Sequence, residues 1–525
     1  MTKREELDSP KLSRRESLKL SGLALGGLAL GRRLDGQYPL LAGGDCPTGT
    51  CYPTAHDTQR YSYFESLETM DYRQLPVLPG MPRNPNTPTG TPALEPNEMR
   101  VTFMGSCIPP VRRAQAMMSI FVEVGWENGK ALDQAIFDCG SGCCANYGAM
   151  GVGFGRMDKI FLTHLHGDHI SDLTHIYCFG PSLDRISPLY VWGPGDSWLK
   201  NPQQGDPPYF KDGIRDFCGH FREAMRWHTE SFSFQNTSYP SYEQPTKKSW
   251  GLPVDPVPVS DDPPDDAYAI VPIDLDWSKV GGVAYWNRKT GLKISHYPVI
   301  HCRQGSLAYK VEWEGLSMIY TSDTKPEVNT IFQAQNNGRG IDLLVHEMIV
   351  PPEIWAMESL HYARPAAGPA WDNAVARLTQ VQNSSHTSQG AFGYLLSQIN
   401  PRPRLTVATH FPVSDDTVAC ALESVNRHCP EVPADIALLA ESPLIWSFDL
   451  MVLRLFAGNP KPEILRRRAH VLEHGFSPIA QMPVPASQLY PPKYHDRRGN
   501  GDPYAQIDTT AQIEPGPDTY CENGY

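Results

Sequence analysis

The sequence predicts an α/β catalytic domain over residues 99–456, carrying a loop-rich insertion at 196–289 and flanked by extended N- and C-terminal segments. Three observations predict it. Short apolar runs end one after another in polar loops, as strands do when their C-terminal edges build a site. A segment of helical character, AFGYLLSQI, lies between the later runs. Proline makes up 49 of 525 residues, close to twice the usual share, and much of it falls outside these runs, which favours one decorated domain over several.

Residues 1–45 read as an address rather than as part of the fold. Ser13-Arg14-Arg15 precedes a run of Leu, Ala and Gly ending at Leu30, a pattern that resembles a bacterial twin-arginine export signal. The run is too short to cross about 30 Å of hydrocarbon as a helix. The expected location is therefore periplasmic or otherwise extracytoplasmic, with membrane contact only through an uncleaved signal. Residues 46–98, rich in Pro, Thr and Asn, read as an extended arm.

MRVTFMGSC, SIFVEVGW, QAIFDCGSG and RMDKIFLTHLHGDH read as successive strands, the third ending at Asp138 and the fourth running into a histidine-rich loop. SLAYKVEW, LSMIYTSDT, IDLLVHEMI and RLTVATHF repeat the pattern. The insertion at 196–289 holds ten basic and fourteen acidic side chains, a net −4. In 457–525, PKPEILRRRAHVLEHGF reads as a helix and the remainder as a Pro-rich tail. Among twelve Cys, Cys46 with Cys51 and Cys420 with Cys429 are spaced to close small loops, while Cys139, Cys143 and Cys144 in CGSGCC read as packed free thiols. His175 and His296 read as packed, and Trp192, Tyr209, Trp227, Trp250 and Trp286 as core or loop anchors, with a pocket lining as the alternative.

The chain carries 46 Lys and Arg against 58 Asp and Glu, a net charge of −12, so neither a basic nucleic-acid surface nor a multispan membrane protein is expected.

The chemistry concentrates in Thr163-His164-Leu165-His166-Gly167-Asp168-His169 at the end of a strand. Alternation along an extended loop sets His164 and His166 on one side, while Asp168 and His169 turn to a second point, a layout for two adjacent cations. Imidazole suits zinc and its neighbours, and the carboxylate adds charge.

These residues resemble the metallo-β-lactamase superfamily, whose H-x-H-x-D-H signature His164, His166, Asp168 and His169 match in full. The resemblance implies an αββα sandwich and a metal-dependent hydrolase. It also implies that His301 (in YPVIHCRQG), Asp323 (in MIYTSDTKP) and His410 (in LTVATHFP) complete the ligand set. One cation would then be held by His164, His166 and His301, the other by Asp168, His169 and His410, with Asp323 bridging and Asp138 orienting the loop. The expected cofactors are two divalent ions, preferably Zn2+, with Mn2+ or Fe2+ as alternatives; such a pair makes hydroxide from water near neutral pH.

Over roughly residues 99–450, the motifs around His301, LLVHEMI, SSHTSQGAFGYLLSQI and ATHF resemble the branch containing transfer-RNA 3′-processing endonucleases and aryl-ester sulfatases and phosphodiesterases. That branch implies His386 as the catalytic proton donor, with His346 and Glu347 in support and Asp168 serving both catalysis and metal binding. The leading expectation is an exported hydrolase acting on a small anionic ester (a sulfate or phosphodiester) or a lactone. Nucleic acid is disfavoured as a partner, and a homodimer is compatible with the sequence. The alternatives are a transfer-RNA 3′ endonuclease and a non-catalytic metal-dependent binding protein; β-lactam hydrolysis is a poor fit to the downstream motifs.

Overall fold

The structure is a computed structural model. It describes residues 93–109, 115–128, 130–205, 208–233, 267–350, 352–360, 366–412, 421, 425 and 444–459, and the short strands 463–465, 494–495 and 501–502. The chain divides into two units, Met1–Pro76 and Val77–Tyr525, and every described residue belongs to the second. The export-signal segment, most of the arm, Trp250 and the Cys46/Cys51 and Cys420/Cys429 pairs lie outside the described residues.

Two mixed sheets face each other. The first contains β1 (Glu98–Gly105), β2 (Ser119–Val124), β3 (Asp133–Phe137), β4 (Lys159–Phe161), β5 (Leu189–Pro194), β6 (Ile270–Leu275), β14 (Val452–Phe456) and β15 (Glu463–Leu465), in the order β15-β14-β1-β2-β3-β4-β5-β6. The second contains β7 (Gly282–Trp286), β8 (Lys293–Pro298), β9 (Leu307–Trp313), β10 (Leu316–Tyr320), β11 (Leu343–Glu347), β12 (Leu405–Thr409) and β13 (Leu444–Trp446), in the order β13-β12-β11-β10-β9-β8-β7. In each sheet an antiparallel half adjoins a parallel one: β3 to β6 and β10 to β13 run parallel. The eight apolar runs read as strands from the sequence are β1 to β4 and β9 to β12.

Strand periodicity explains the layering. Met99, Val101 and Phe103 of β1, Ile120, Val122 and Val124 of β2, and Met318 and Tyr320 of β10 share the core between the sheets, whereas Met104, Phe121 and Ile319 point outward under helices. Phe161 and Trp192 stack at 4.4 Å in that central layer. Helices α1 (Cys143–Ala149), α2 (Gly167–Ile170), α3 (Leu173–Leu183), α4 (Ile214–Ala224) and α5 (Arg226–Ser233) follow strands of the first sheet, and α1, α3 and α4 bury Tyr147, Ile176 and Ile214 against Ile136, Ile160 and Val191. On the other side α6 (Val328–Gln335), α7 (Pro352–Leu360), α8 (Pro369–Ser385) and α9 (Gln389–Gln398) accompany the second sheet, where Ile331 and Phe392 cover Ile319 and Leu344. Strands covered on both faces are apolar over most of their length, which is why β10 (LSMIY) and β12 (LTVAT) read as apolar runs. Among the described residues no helix is long and apolar enough to cross a membrane.

Parts of the insertion are more ordered than a loop-rich reading implies. Its described residues include α4 and α5, and its last part supplies edge strands to both sheets, β6 on β5 and β7 on β8. Glu463–Leu465, expected to begin a helix, instead pairs with β14 because β14 presents an unpaired edge there. Trp192 is core, while Trp227 and Trp286 are exposed. His296 is buried, and His175 is an exposed residue of α3 lying between Phe154 and Phe179.

Candidate metal centre

Every predicted site residue except His346 reaches one edge of the sandwich, because each follows the C-terminal end of a strand or precedes a helix at that edge. Asp138 follows β3, His164 to His169 follow β4, His301 follows β8, Asp323 follows β10, Glu347 ends β11, His410 follows β12, and His386 caps the end of α8. Three turns there are left-handed at non-glycine residues: Asp138 (φ 58°), Ser322 (φ 56°) and His410 (φ 58°). Such a backbone costs free energy and persists where surrounding contacts enforce it. Gly140 is required by proximity: a Cβ there would meet the Asp168 carbonyl at 2.0 Å.

Three groups of donor atoms share Asp323, two formed with the histidine-rich loop and a third with Glu347, His386 and His410. In the first, His166 Nδ1 stands 3.0 Å from His164 Nε2 and 3.1 Å from His301 Nε2, with Asp323 Oδ2 3.7 Å from His301 Nε2. In the second, His169 Nε2 lies 3.4 Å from Asp168 Oδ2 and 3.3 Å from Asp323 Oδ1, and His410 Nε2 lies 3.3 Å and 3.4 Å from the same two oxygens. A tetrahedron with ligands about 2.0–2.1 Å from its cation has edges of about 3.3 Å. The second group already has that spacing. His169 Nε2 and Asp323 Oδ1 are buried and make no hydrogen bond, an arrangement that costs free energy unless a cation joins them. The residues present therefore fit two divalent cations sharing one carboxylate.

The ring nitrogens of His301 and His169 that face away from the cluster are anchored. His301 Nδ1 donates to the Ser385 carbonyl at 2.9 Å, and His169 Nδ1 meets Asp138 Oδ2 at 2.8 Å. Asp138 also accepts from the Thr163 backbone N–H and hydroxyl, the Tyr320 hydroxyl at 2.8 Å and the Ser322 hydroxyl at 3.3 Å. Such anchoring fixes which nitrogen of each imidazole faces the cation. Thr163, Tyr320, Ser322 and Ser385 are absent from the sequence-level candidates; the only sequence signal for the middle two is their position in the strand-end segment YTSD.

The charge state divides the centre. Burial lowers His164, His166 and His301, the last to about 3, so their lone pairs stay available to a cation. Burial would lower His169 and His410 too, but the carboxylates of Asp323 and Asp168 outweigh it, raising His169 strongly and pushing His410 up to about 10. Asp323 and Asp168 are held far below the usual carboxylate range: burial opposes this, and the neighbouring imidazoles prevail.

Next to the centre, Glu347 Oε2 meets His386 Nδ1 at 2.8 Å and stands 3.3 Å from His410 Nδ1, while its Oε1 accepts from the Thr324 backbone N–H. The His386 ring lies 4.9 Å from that of His301 and 5.7 Å from that of His410. Burial lowers the pKa of His386, but Glu347 outweighs it and the net shift is upward. The structure does not bring His346 to this cluster. Strand alternation turns it to the opposite face of β11, where its ring packs 5.3 Å from that of Phe392, Nδ1 donates to the Glu347 carbonyl, and burial lowers its pKa to about 4.

Two facing mixed sheets, helices on both outer faces and a shared-carboxylate double cluster at the strand ends decide the fold. The chain has the metallo-β-lactamase fold. No family model matches the chain. It is 24% identical over 311 residues to a ribonuclease Z of Halorubrum lacusprofundi, an alignment covering 56% of this chain and 89% of that protein. It is 30% identical over 96 residues to a ribonuclease BN of an Enterobacter species, covering 18% of this chain; the match spans about a third (31%) of that relative's length. Among solved structures, it is similar to the metallo-β-lactamase fold protein YhfI from Bacillus subtilis, with 13% identity, a TM-score of 0.38, and coverage of 68% of this chain and 100% of that one.

Proposed function

We propose that this metal-dependent hydrolase of the metallo-β-lactamase fold cleaves phosphodiester bonds in RNA, with precursor transfer RNA as the substrate to test first. The observation that supports this is the alignment with ribonuclease Z over nine-tenths of that protein's length, together with a double cation site flanked by His386. This reverses the ranking expected from charge and the Arg14-Arg15 segment, and the acidic insertion is then no argument against RNA: binding would rest on the centre itself.

His164, His166, His301 and Asp323 would hold one divalent cation, preferably zinc, and Asp168, His169, His410 and Asp323 the other. When bound, such a pair acidifies water and neutralises charge gathering on a phosphoryl group. The chain's own residues do the rest. Asp138 and Ser385 hold the imidazoles in register. Glu347 favours the protonated form of His386 and fixes its ring through Nδ1, so a proton passed to a departing oxygen would leave from Nε2. Asp168 would serve as a ligand, and its carboxylate, 3.3 Å from His410 Nε2, balances that imidazole's charge.

The second reading, a small anionic ester hydrolysed outside the cytoplasm, is favoured by the Arg14-Arg15 pattern ahead of its apolar run. A direct comparison separates them: the zinc-loaded full chain is given precursor transfer RNA and, separately, aryl phosphodiesters and aryl sulfates. Efficient, site-specific RNA cleavage supports the first reading; turnover of the aryl esters with intact RNA supports the second.

A further inference from the structure

Directly behind the loop that carries Asp168 and His169, the CGSGCC turn brings a second donor cluster together. The thiols of Cys143 and Cys144 and a carboxylate oxygen of Asp172 lie within 4.8 Å of one another. Cys143 and Cys144 belong to α1, whereas Asp172 precedes α3; the backbone N–H of Cys144 donates to Asp172 Oδ2 at 2.8 Å, and its thiol approaches the Asp172 carbonyl oxygen at 3.9 Å. Asp172 occupies the position where an Asp ordinarily caps its own helix, yet its side chain makes no capping bond to α3 and is turned to Cys144 instead. Both Cys143 and Cys139 are buried, and Cys139 stands four residues before Cys143 in the same turn.

We propose that Cys143, Cys144 and Asp172 form a third cation site, separate from the Asp323 centre and suited to a single soft divalent ion such as zinc or cadmium. Two sulfurs of a tetrahedral zinc site lie about 3.8 Å apart, a spacing compatible with donor atoms that all lie within 4.8 Å of one another. Thiolate donors select soft cations, and a single carboxylate is compatible with them. Binding converts both thiols to thiolates and releases two protons. Cys144 and Asp172 are partly exposed and give the ion a way in, while Cys143 is buried. The site is tied to the catalytic loop through the backbone: Asp172 N–H donates to the Cys139 carbonyl at 2.9 Å, and Cys139 N–H to the His169 carbonyl at 2.7 Å.

The test uses the full chain, fully reduced, with its His/Asp centre saturated with Zn2+ and then titrated with Cd2+, reading the ultraviolet thiolate–cadmium charge-transfer band and the bound metal. Wild type is expected to take up one more tightly bound Cd2+ than Cys144→Ser, with the band correspondingly larger. His166→Ala, which disables the other centre, is expected to keep that difference. Asp172→Asn, which leaves both thiols in place, is expected to weaken the uptake by about tenfold or more. Equal bands and equal metal content in wild type, Cys144→Ser and Asp172→Asn, all folded by circular dichroism, would overturn the proposal.

Discussion

Glu347 binds His386 Nδ1 at 2.8 Å and, with the same oxygen, stands 3.3 Å from Nδ1 of His410, so one buried carboxylate serves both the proposed proton donor and a proposed metal ligand. A proton donor works only while protonated, so activity falls as pH rises through its pKa, and the upward shift that Glu347 imposes on His386 moves that fall to higher pH. Glu347→Gln is expected to shift the alkaline limb of the kcat/KM profile toward lower pH, which a pH–rate series on the metal-loaded enzyme will show. An alkaline limb that does not move would separate Glu347 from the donor.

His386→Ala is expected to lower kcat by about 10²–10⁴, the usual worth of a positioned acid, with metal content unchanged. His166→Ala is expected to lose metal from the three-histidine cluster and turnover together, because His166 Nδ1 stands centrally between His164 and His301. Metal analysis beside single-turnover kinetics distinguishes the two outcomes.

Tyr320→Phe removes one of the donors to Asp138 while leaving the ring packed in the inter-sheet core. The expected result is a metal affinity reduced by about tenfold, as for other partners behind a ligand, with little change in stability. Competition with a chromogenic chelator measures it.

How much of the fold and the site is legible in the sequence depends on distance along the chain. The H-x-H-x-D-H run is local, so alternation alone separates His164 and His166 from Asp168 and His169, and the structure puts them in two clusters. Strands β1 to β4 and β9 to β12 are legible because most of their residues are buried, so each carries a run of apolar side chains. Features that depend on tertiary partners are not legible. His346 and Glu347 are neighbours on β11, and only the two-residue period of a strand, once the inner face is known, sends one to Phe392 and the other to His386. The edge strands β6 (IVPIDL) and β7 (GVAYW) are short, partly exposed runs set among the Pro, Asp and Gly of the insertion, and each has a neighbour on one side only.

Asp449 offers a pH test of stability. Burial pushes it up to about 7, despite hydrogen bonds from the Ser106 hydroxyl at 2.8 Å, the Ala116 backbone at 2.6 Å and Asn146 at 2.8 Å. Between the ordinary Asp range and about 7 the folded protein keeps a proton that the unfolded chain releases. Its contribution is therefore complete at acid pH and is lost as pH rises through about 7. Wild type is expected to lose more stability than Asp449→Asn between about pH 5 and about pH 8, by up to about 3 kcal/mol, measured by calorimetry on both proteins.

Phe161 stacks on Trp192 at the centre of the inter-sheet core. Phe161→Ala is expected to cost about 3–5 kcal/mol by denaturant unfolding, the range for emptying a buried aromatic site.

The most direct measurement for the central claim is cleavage of end-labelled precursor transfer RNA by the full chain after metal loading, with bound metal counted in the same samples. Site-specific cleavage by wild type, together with its loss in His386→Ala that still holds both cations of the Asp323 centre, is the predicted result. Intact RNA with the fully loaded wild type, or wild-type cleavage by His386→Ala, would contradict it.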